Sequence, residues 1–206
     1  MKIFSSKKKF IYLISPNKIY PNFYKDLKKI FKLNKVNFFQ LRLKKLTLNR
    51  KIIIAKKTKK ICNKFKIKFL INDDPYLAKK MDADGCHLGQ KDMNIIKARK
   101  ILGKKIIGIT CHNSIKLSKK AIKDGADYIA LGAFYPTKTK NIKFKAKVSD
   151  LIRIKKLSRI PIIAIGGINN DNYKNLLLNK VNFLAISSYV FNNRKFKPIK
   201  AIKMLK

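Results

Sequence analysis

The 206-residue chain carries 51 Lys and Arg against 10 acidic residues, a formal net charge of +41, and 46% of its residues are apolar. That apolar share, gathered in short runs, excludes a merely disordered basic tail and suits one globular unit with a core of its own. No apolar run nears the roughly 18 residues of a membrane span, and the opening MKIFSSKKKFIYLIS has no small-residue cleavage site, which argues against a secreted or membrane-spanning protein.

Short β-branched or aromatic runs alternate with longer stretches of helical spacing. FIYLI (10–14) predicts a first strand, with a helix over 23–33, and VNFFQL (36–41) a second, with a helix over 48–64. IKFLI (67–71) and GCHL (85–88) predict the third and fourth, followed by a helix over 93–102. KIIGIT (105–110) leads to a helix over 114–124, DYIAL (127–131) to one over 148–158, and IPIIAI (160–165) to one over 171–179. NFLAI (182–186) is the eighth strand, and a basic tail begins at Asn192. Asn113 and Asn170 are the expected N-caps and Gly125 an expected helix stop. Eight such units in so short a chain predict an α/β fold, a single (β/α)8 TIM barrel over residues 1–206, with a doubly wound sheet as the alternative.

Cys62, Cys86 and Cys111 stand at spacings that form neither a disulfide framework nor a metal pair, and read as reduced thiols of a cytoplasmic protein. The positive charge runs along the whole chain, Lys far outnumbers Arg, and Trp is absent. This joint bias reads as compositional skew and not as a specific nucleic-acid face. Charge alone supports the alternative of a basic, non-catalytic nucleic-acid-binding barrel. Association into homo-oligomers is left open by the sequence.

A barrel of this kind places its chemistry at the C-terminal ends of the strands. The second strand runs into Gln40-Leu41-Arg42-Leu43-Lys44, and alternation puts Gln40, Arg42 and Lys44 on one side, at the mouth. The plainer alternative for Arg42 and Lys44 is a solvated charge. The third strand ends in Asn72-Asp73-Asp74-Pro75, and five of the ten acidic residues fall between Asp73 and Asp92. A carboxylate from each of two adjacent strand ends suits Mg²⁺, which takes one or two carboxylates and fills its shell with water and phosphate oxygens. Asp73 and Asp92 are the candidate ligands, with helix capping as the alternative. The loop from Gly132 to Lys140 supplies hydroxyls and ammonium groups suited to phosphate oxygens. Gly166-Gly167-Ile168 and Ser187-Ser188 end the seventh and eighth strands, where barrels commonly hold a phosphate. His87 reads as a packed residue with a satisfied ring, and His112 as a loop brace or a group at the mouth. Neither a Ser/His/Asp arrangement nor a zinc spacing occurs.

Together QLRLK (40–44), INDDPYLAKKMDADGCHLGQKD (71–92), GITCH (108–112), DYIALGAFYPTKTK (127–140), PIIAIGGI (161–168) and FLAISS (183–188) resemble the family of thiamine-phosphate synthases and thiazole tautomerases. The resemblance implies a transferase that joins a hydroxymethylpyrimidine diphosphate to a thiazole phosphate and releases pyrophosphate. It implies that Gln40, Arg42, Lys44, Asn72, Thr110 and Lys140 hold the pyrimidine diphosphate and that Asp73 and Asp92 hold Mg²⁺. Thr137 and Thr139 would face the thiazole phosphate, with Gly167, Ser187 and Ser188 completing its cradle. Arg42, Lys44 and Lys140 would stabilise the leaving group. The chain departs from the family pattern at Leu43, where an acid is common, at Thr110, where Ser is common, and at Ala133, where Pro is common. The rival within the family is a tautomerase using His112 for proton transfer, without diphosphate or metal.

Overall fold

The computed structural model describes residues 9–137, 144–157 and 159–205. Its elements in order are β1 (Ile11–Ile14), α1 (Phe23–Lys32), β2 (Val36–Leu41), α2 (Leu48–Lys64), β3 (Lys68–Asn72), α3 (Pro75–Lys80), β4 (Gly85–Leu88) and α4 (Ile95–Leu102). They continue with β5 (Ile106–His112), α5 (Ile115–Lys123), β6 (Tyr128–Gly132), α6 (Val148–Lys155), β7 (Ile162–Ile165), α7 (Tyr173–Leu178), β8 (Phe183–Ile186), α8 (Ser188–Phe191) and α9 (Pro198–Met204). Each strand pairs in parallel with its sequence neighbour and β1 closes on β8, so the sheet is a (β/α)8 barrel and the doubly wound alternative falls away. Among the described residues, no helix is long and apolar enough to cross a membrane.

The two-residue period of the strands divides the core in two. Tyr12, Ile14, Phe38, Leu70, Ile106, Tyr128, Ile163 and Phe183 fill the barrel, with Tyr12, Phe38 and Phe183 in ring contact at centroid separations of 5.1 to 5.6 Å. The alternate positions, such as Phe39, Leu41 and Leu43, join the larger layer beneath the helices. On α1, Phe23, Leu27, Ile30 and Phe31 are buried at helical spacing, which leaves its lysines outside.

The caps differ in part from expectation. Gly125 takes the left-handed conformation at φ 87° as anticipated, but Ser114, not Asn113, caps α5 by accepting the Leu117 N–H. Asn113 instead donates to the Lys145 carbonyl. Asn170 stands too early to cap α7, which begins after Asn172; its side chain donates to Asp171. α3 and α8 have only six and four residues, too few to reveal a helical period.

At the opposite end from the mouth, the residue just before every second strand pins the start of the strand before it. Asp84 accepts the Phe69 N–H, Asp127 the Ile107 N–H and Asn182 the Ile162 N–H, at 2.8 to 2.9 Å. Arg99 then ties Asp127 to the Gly103, Lys105 and Gly125 carbonyls. Asp82 pairs with Lys59 and Lys105 at the same end. Asp82 and Asp84 are therefore structural and do not contribute to the acidic cluster at the mouth.

Gly108 on β5 faces inward and seats the Tyr128 ring: a Cβ built there would lie 1.8 Å from Tyr128 Cζ. Gly108→Ala is expected to lower folding stability by about 3 kcal/mol, at the upper end of ordinary overpacking. Denaturant unfolding measures this, and an unchanged midpoint would contradict the seat. Because the atoms nearest that Cβ are ring carbons, Tyr128→Phe in the same chain should not relieve the loss.

Candidate active site

Alternation along β2 carries the sequence expectation onto the mouth. Gln40, one turn of pleat above the inward Phe38, is 1% exposed, and its amide Nε2 has no partner among the described residues. Arg42 continues the same face. Its N–H donates to Ser15 Oγ at 2.8 Å, and its guanidinium donates to Asn17 Oδ1. Burial works against the guanidinium charge and Asp73 supports it. Lys44 Nζ lies 3.5 Å from Asp73 Oδ2, half exposed, so the pair on its own adds little stability.

Asp73 follows β3 in a left-handed conformation at φ 66°, with its N–H held by the His87 carbonyl at 2.8 Å. Its side chain meets that of Asp92, from the loop after β4, within hydrogen-bond reach. Burial first, then the neighbouring Asp92, push the Asp73 carboxyl above its ordinary range, while Lys44 and Arg42 pull it back. Asp92 also accepts the Gly89 N–H at 2.6 Å. Neither carboxylate caps a helix: Asp74 caps α3 through the Leu77 N–H, and Asn94 caps α4 through the Lys97 N–H. The capping alternative for Asp73 and Asp92 is thereby removed.

Thr110, inward on β5, has its hydroxyl 2.9 Å from His87 Nε2 and accepts Gln90 Nε2 on its carbonyl. His87 is a buried, satisfied ring, as the sequence suggested, with Nδ1 on Tyr128 Oη at 2.8 Å. His112 ends β5 at φ 54° and its ring lies on Phe144, centroids 4.5 Å apart, bracing the β6–α6 connection by ring contact. Burial lowers His87 to about 4, with Asp92 opposing. An unfolded imidazole binds its proton near pH 6.5, so the unfolded state gains the proton first on acidification. Stability is expected to fall by about 3 kcal/mol between about pH 6.5 and 4, and this contribution then levels. Denaturation of wild type and His87→Gln across that range tests it; parallel curves would contradict it.

The remaining arc comes from β6 to β8. Gly167, at φ 64°, lies where a Cβ would meet the Pro136 carbonyl at 2.3 Å, so the glycine pair lets the β6 loop dock on β7. Tyr135 N–H donates to the Gly166 carbonyl, and Asn172 Nδ2 to that of Gly167. Ser187 precedes α8, whose first residue is Ser188, and Ser187 Oγ donates to the Ser15 carbonyl at 3.3 Å. Thr137 is half-buried on the β6 loop, whereas Thr139 and Lys140 lie outside the described residues. Asn72 sits on the inward face at the top of β3. Ser15 and Asn17 went unnoticed in the sequence, although Ser15 directly follows the first strand and the rule applied to the other strand ends would have found it. A wider groove between α6 and α7, lined by Ile152, Lys155, Leu178 and Lys180, gathers no comparable chemistry.

Residues 11–190 match the family described as thiamine monophosphate synthase. The chain belongs to that family. A thiamine-phosphate synthase of Pelagibacter ubique is 66% identical over 207 residues, covering all of both chains, and that of Clostridium acetobutylicum is 36% identical over 190 residues, covering 91% of this chain and 89% of its own. The solved thiamine phosphate pyrophosphorylase of Pyrococcus furiosus superposes with a TM-score of 0.83 at 29% identity, over 96% of this chain and 94% of its own. A 3-hexulose-6-phosphate synthase of Salmonella typhimurium, at 16% identity and a TM-score of 0.66, shares the fold alone. As a member of the thiamine monophosphate synthase family the chain is an enzyme, a transferase acting on small molecules, and its charged arc over β2 to β5, with Arg42 and Lys44 beside Asp73 and Asp92, faces a second arc over β6 to β8.

Proposed function

We propose that the chain joins a 4-amino-2-methyl-5-hydroxymethylpyrimidine diphosphate to a thiazole phosphate, giving thiamine phosphate and pyrophosphate. The observation that carries this reading is the meeting of Arg42 and Lys44 with the Asp73–Asp92 pair at one side of the mouth. Cations and paired carboxylates together suit a metal-bound diphosphate, which neither set would hold as well alone.

Asp92, within hydrogen-bond reach, helps hold the Asp73 carboxyl above its ordinary range, and a cation shared by the two would relieve that crowding, so the donor set fits Mg²⁺. Asp73 and Asp92 would hold it, and when bound it supplies charge stabilisation to the departing diphosphate. Gln40, Arg42, Lys44, Asn72, Thr110 and Lys140 would hold the pyrimidine diphosphate, the unpartnered Gln40 amide supplying a donor to it. Thr137, Thr139, Gly167, Ser187 and Ser188 would hold the thiazole phosphate on the opposite arc.

In the reaction the bond between the pyrimidine methylene and the diphosphate oxygen breaks, and the electron pair leaves with pyrophosphate. The methylene is left with positive charge, and the thiazole nitrogen lone pair forms the new C–N bond. Arg42, Lys44 and Lys140 oppose charge growing on the leaving group, while the two arcs hold the rings in line. This route needs no protein nucleophile. Burial pushes the Cys62, Cys86 and Cys111 thiols up, Cys111 to about 12, which keeps them out of the chemistry.

The test is purified protein with both substrates and Mg²⁺, with product followed by mass spectrometry in the presence and absence of chelator. Chelator-sensitive thiamine phosphate is the expected result. Isomerised thiazole without thiamine phosphate would overturn it in favour of a tautomerase, and salt-sensitive nucleic-acid binding without turnover in favour of a basic binding barrel.

A further inference from the structure

Beneath the mouth, one buried chain of polar groups crosses the barrel from β1 through β6 and β4 to β5. Tyr12 Oη lies 2.8 Å from Tyr128 Oη, Tyr128 Oη 2.8 Å from His87 Nδ1, and His87 Nε2 2.9 Å from Thr110 Oγ1. Tyr12, Tyr128 and His87 are buried, and only Thr110, at the top, is partly open. The placement is built in: the His87 and Tyr128 rings stack at 5.7 Å and 15°, and Gly108 makes the room for Tyr128.

With a neutral imidazole, each of the four groups brings one proton to three links, so a head-to-tail chain has two senses. In the inward sense Thr110 donates to His87 Nε2, Nδ1–H to Tyr128 and Tyr128 to Tyr12. The Tyr12 proton is then left without a protein acceptor in the buried interior, because Tyr12 makes no other hydrogen bond among the described residues. In the outward sense Tyr12 donates to Tyr128, Tyr128 to Nδ1, and Nε2–H to Thr110 Oγ1. Every buried proton is then accepted, and the Thr110 proton is the one left over, at the open end. A buried donor without an acceptor is costly, so the outward sense prevails.

We infer that Tyr12, Tyr128 and His87 are positioning residues that hold His87 as the Nε2–H tautomer and make Thr110 a hydrogen-bond donor, so that the mouth takes an acceptor atom there. That acceptor is an anionic oxygen or an unprotonated ring nitrogen. The inference deepens the proposed function and rests on its reading of Thr110 as a substrate contact.

The first measurement leaves the four hydrogen-bonded groups unaltered and needs no substrate. Long-range ¹H–¹⁵N spectra of histidine-labelled protein, with the two rings assigned by comparison with His112→Asn, should show His87 protonated at Nε2 alone. An Nδ1–H ring, or one averaging between tautomers, would overturn the inference. The second measurement asks whether the chain acts through Thr110. Tyr128→Phe keeps the ring on Gly108 and should lower kcat/KM about 5- to 10-fold, mainly through KM for the pyrimidine diphosphate. In a Thr110→Val background the same change should have no further effect, whereas independent losses would overturn the proposal. Thr110→Val should also weaken binding of Mg²⁺-pyrophosphate if the acceptor is a diphosphate oxygen, or of the unphosphorylated pyrimidine if it is a ring nitrogen. Unchanged binding of both would overturn the donor role, and if the tautomer is nonetheless Nε2–H, the fault lies in taking Thr110 as a substrate contact.

Discussion

Replacing Arg42 by alanine is expected to lower kcat/KM for thiamine phosphate formation by about 10² to 10³, the usual cost of losing one preorganised donor to developing charge. Arg42 is held at two points before substrate arrives: its backbone N–H donates to Ser15 Oγ and its guanidinium to Asn17 Oδ1. Because the side chain is ordered in advance, little is spent on arranging it as the diphosphate departs. Arg42→Lys keeps the charge but loses the planar fork, so it should recover only part of the loss. Steady-state kinetics with each substrate varied in turn will read the effect, and turnover within a few-fold of wild type would remove Arg42 from the leaving-group site. Lys140→Ala carries the same expectation on the grounds of the resemblance.

A structural consequence should accompany the kinetic one. Ser15 accepts the Arg42 N–H while its own carbonyl accepts the Ser187 hydroxyl, so one serine at the end of β1 joins the cationic arc to the arc that ends at β8. The spacing of the two arcs thus rests on a short hydrogen-bonded path through β1 and not on side-chain charge. This is why substitutions at Arg42 that spare its backbone should leave the second arc in place.

Several parts of this site were legible in the sequence for reasons that can be traced. The period of two from Phe38 to Lys44 sorts Gln40 and Arg42 to the inside and Leu41 and Leu43 to the outside whatever the rest of the chain does. The strands were found because β-branched runs are separated by lysine-rich amphipathic segments. The acidic cluster was harder. Asp73, Asp74, Asp82, Asp84 and Asp92 look alike in sequence, yet one caps α3, two pin the far end of the barrel and two meet at the mouth. What separates them is whether each falls before or after its strand, and a shift of two residues in a predicted boundary exchanges the roles. The chain from Tyr12 to Thr110 was not legible at all. Its links span 116, 41 and 23 residues and depend on the mutual register of β1, β4, β5 and β6, which no local pattern encodes.

Asp92→Asn is the sharpest test of the proposed metal site, because it changes charge with almost no change in shape. The asparagine can still accept the Gly89 N–H through its amide oxygen, so the turn that Asp92 closes at 2.6 Å should survive. What it cannot do is share a cation with Asp73. If the pair holds Mg²⁺, activity at saturating substrates should fall by about 10² or more, and the Mg²⁺ concentration for half-maximal rate should rise. The carboxyl of Asp73 should at the same time become easier to ionise, since Asp92 is one of the groups that hold it up. Easier ionisation of Asp73 would not offset the loss, because the substitution also removes one of the two negative charges that would attract the cation. A metal titration followed by turnover separates the outcomes: a weakened midpoint with lost rate supports the pair, and an unaltered midpoint with wild-type rate would exclude Asp92 from the metal site.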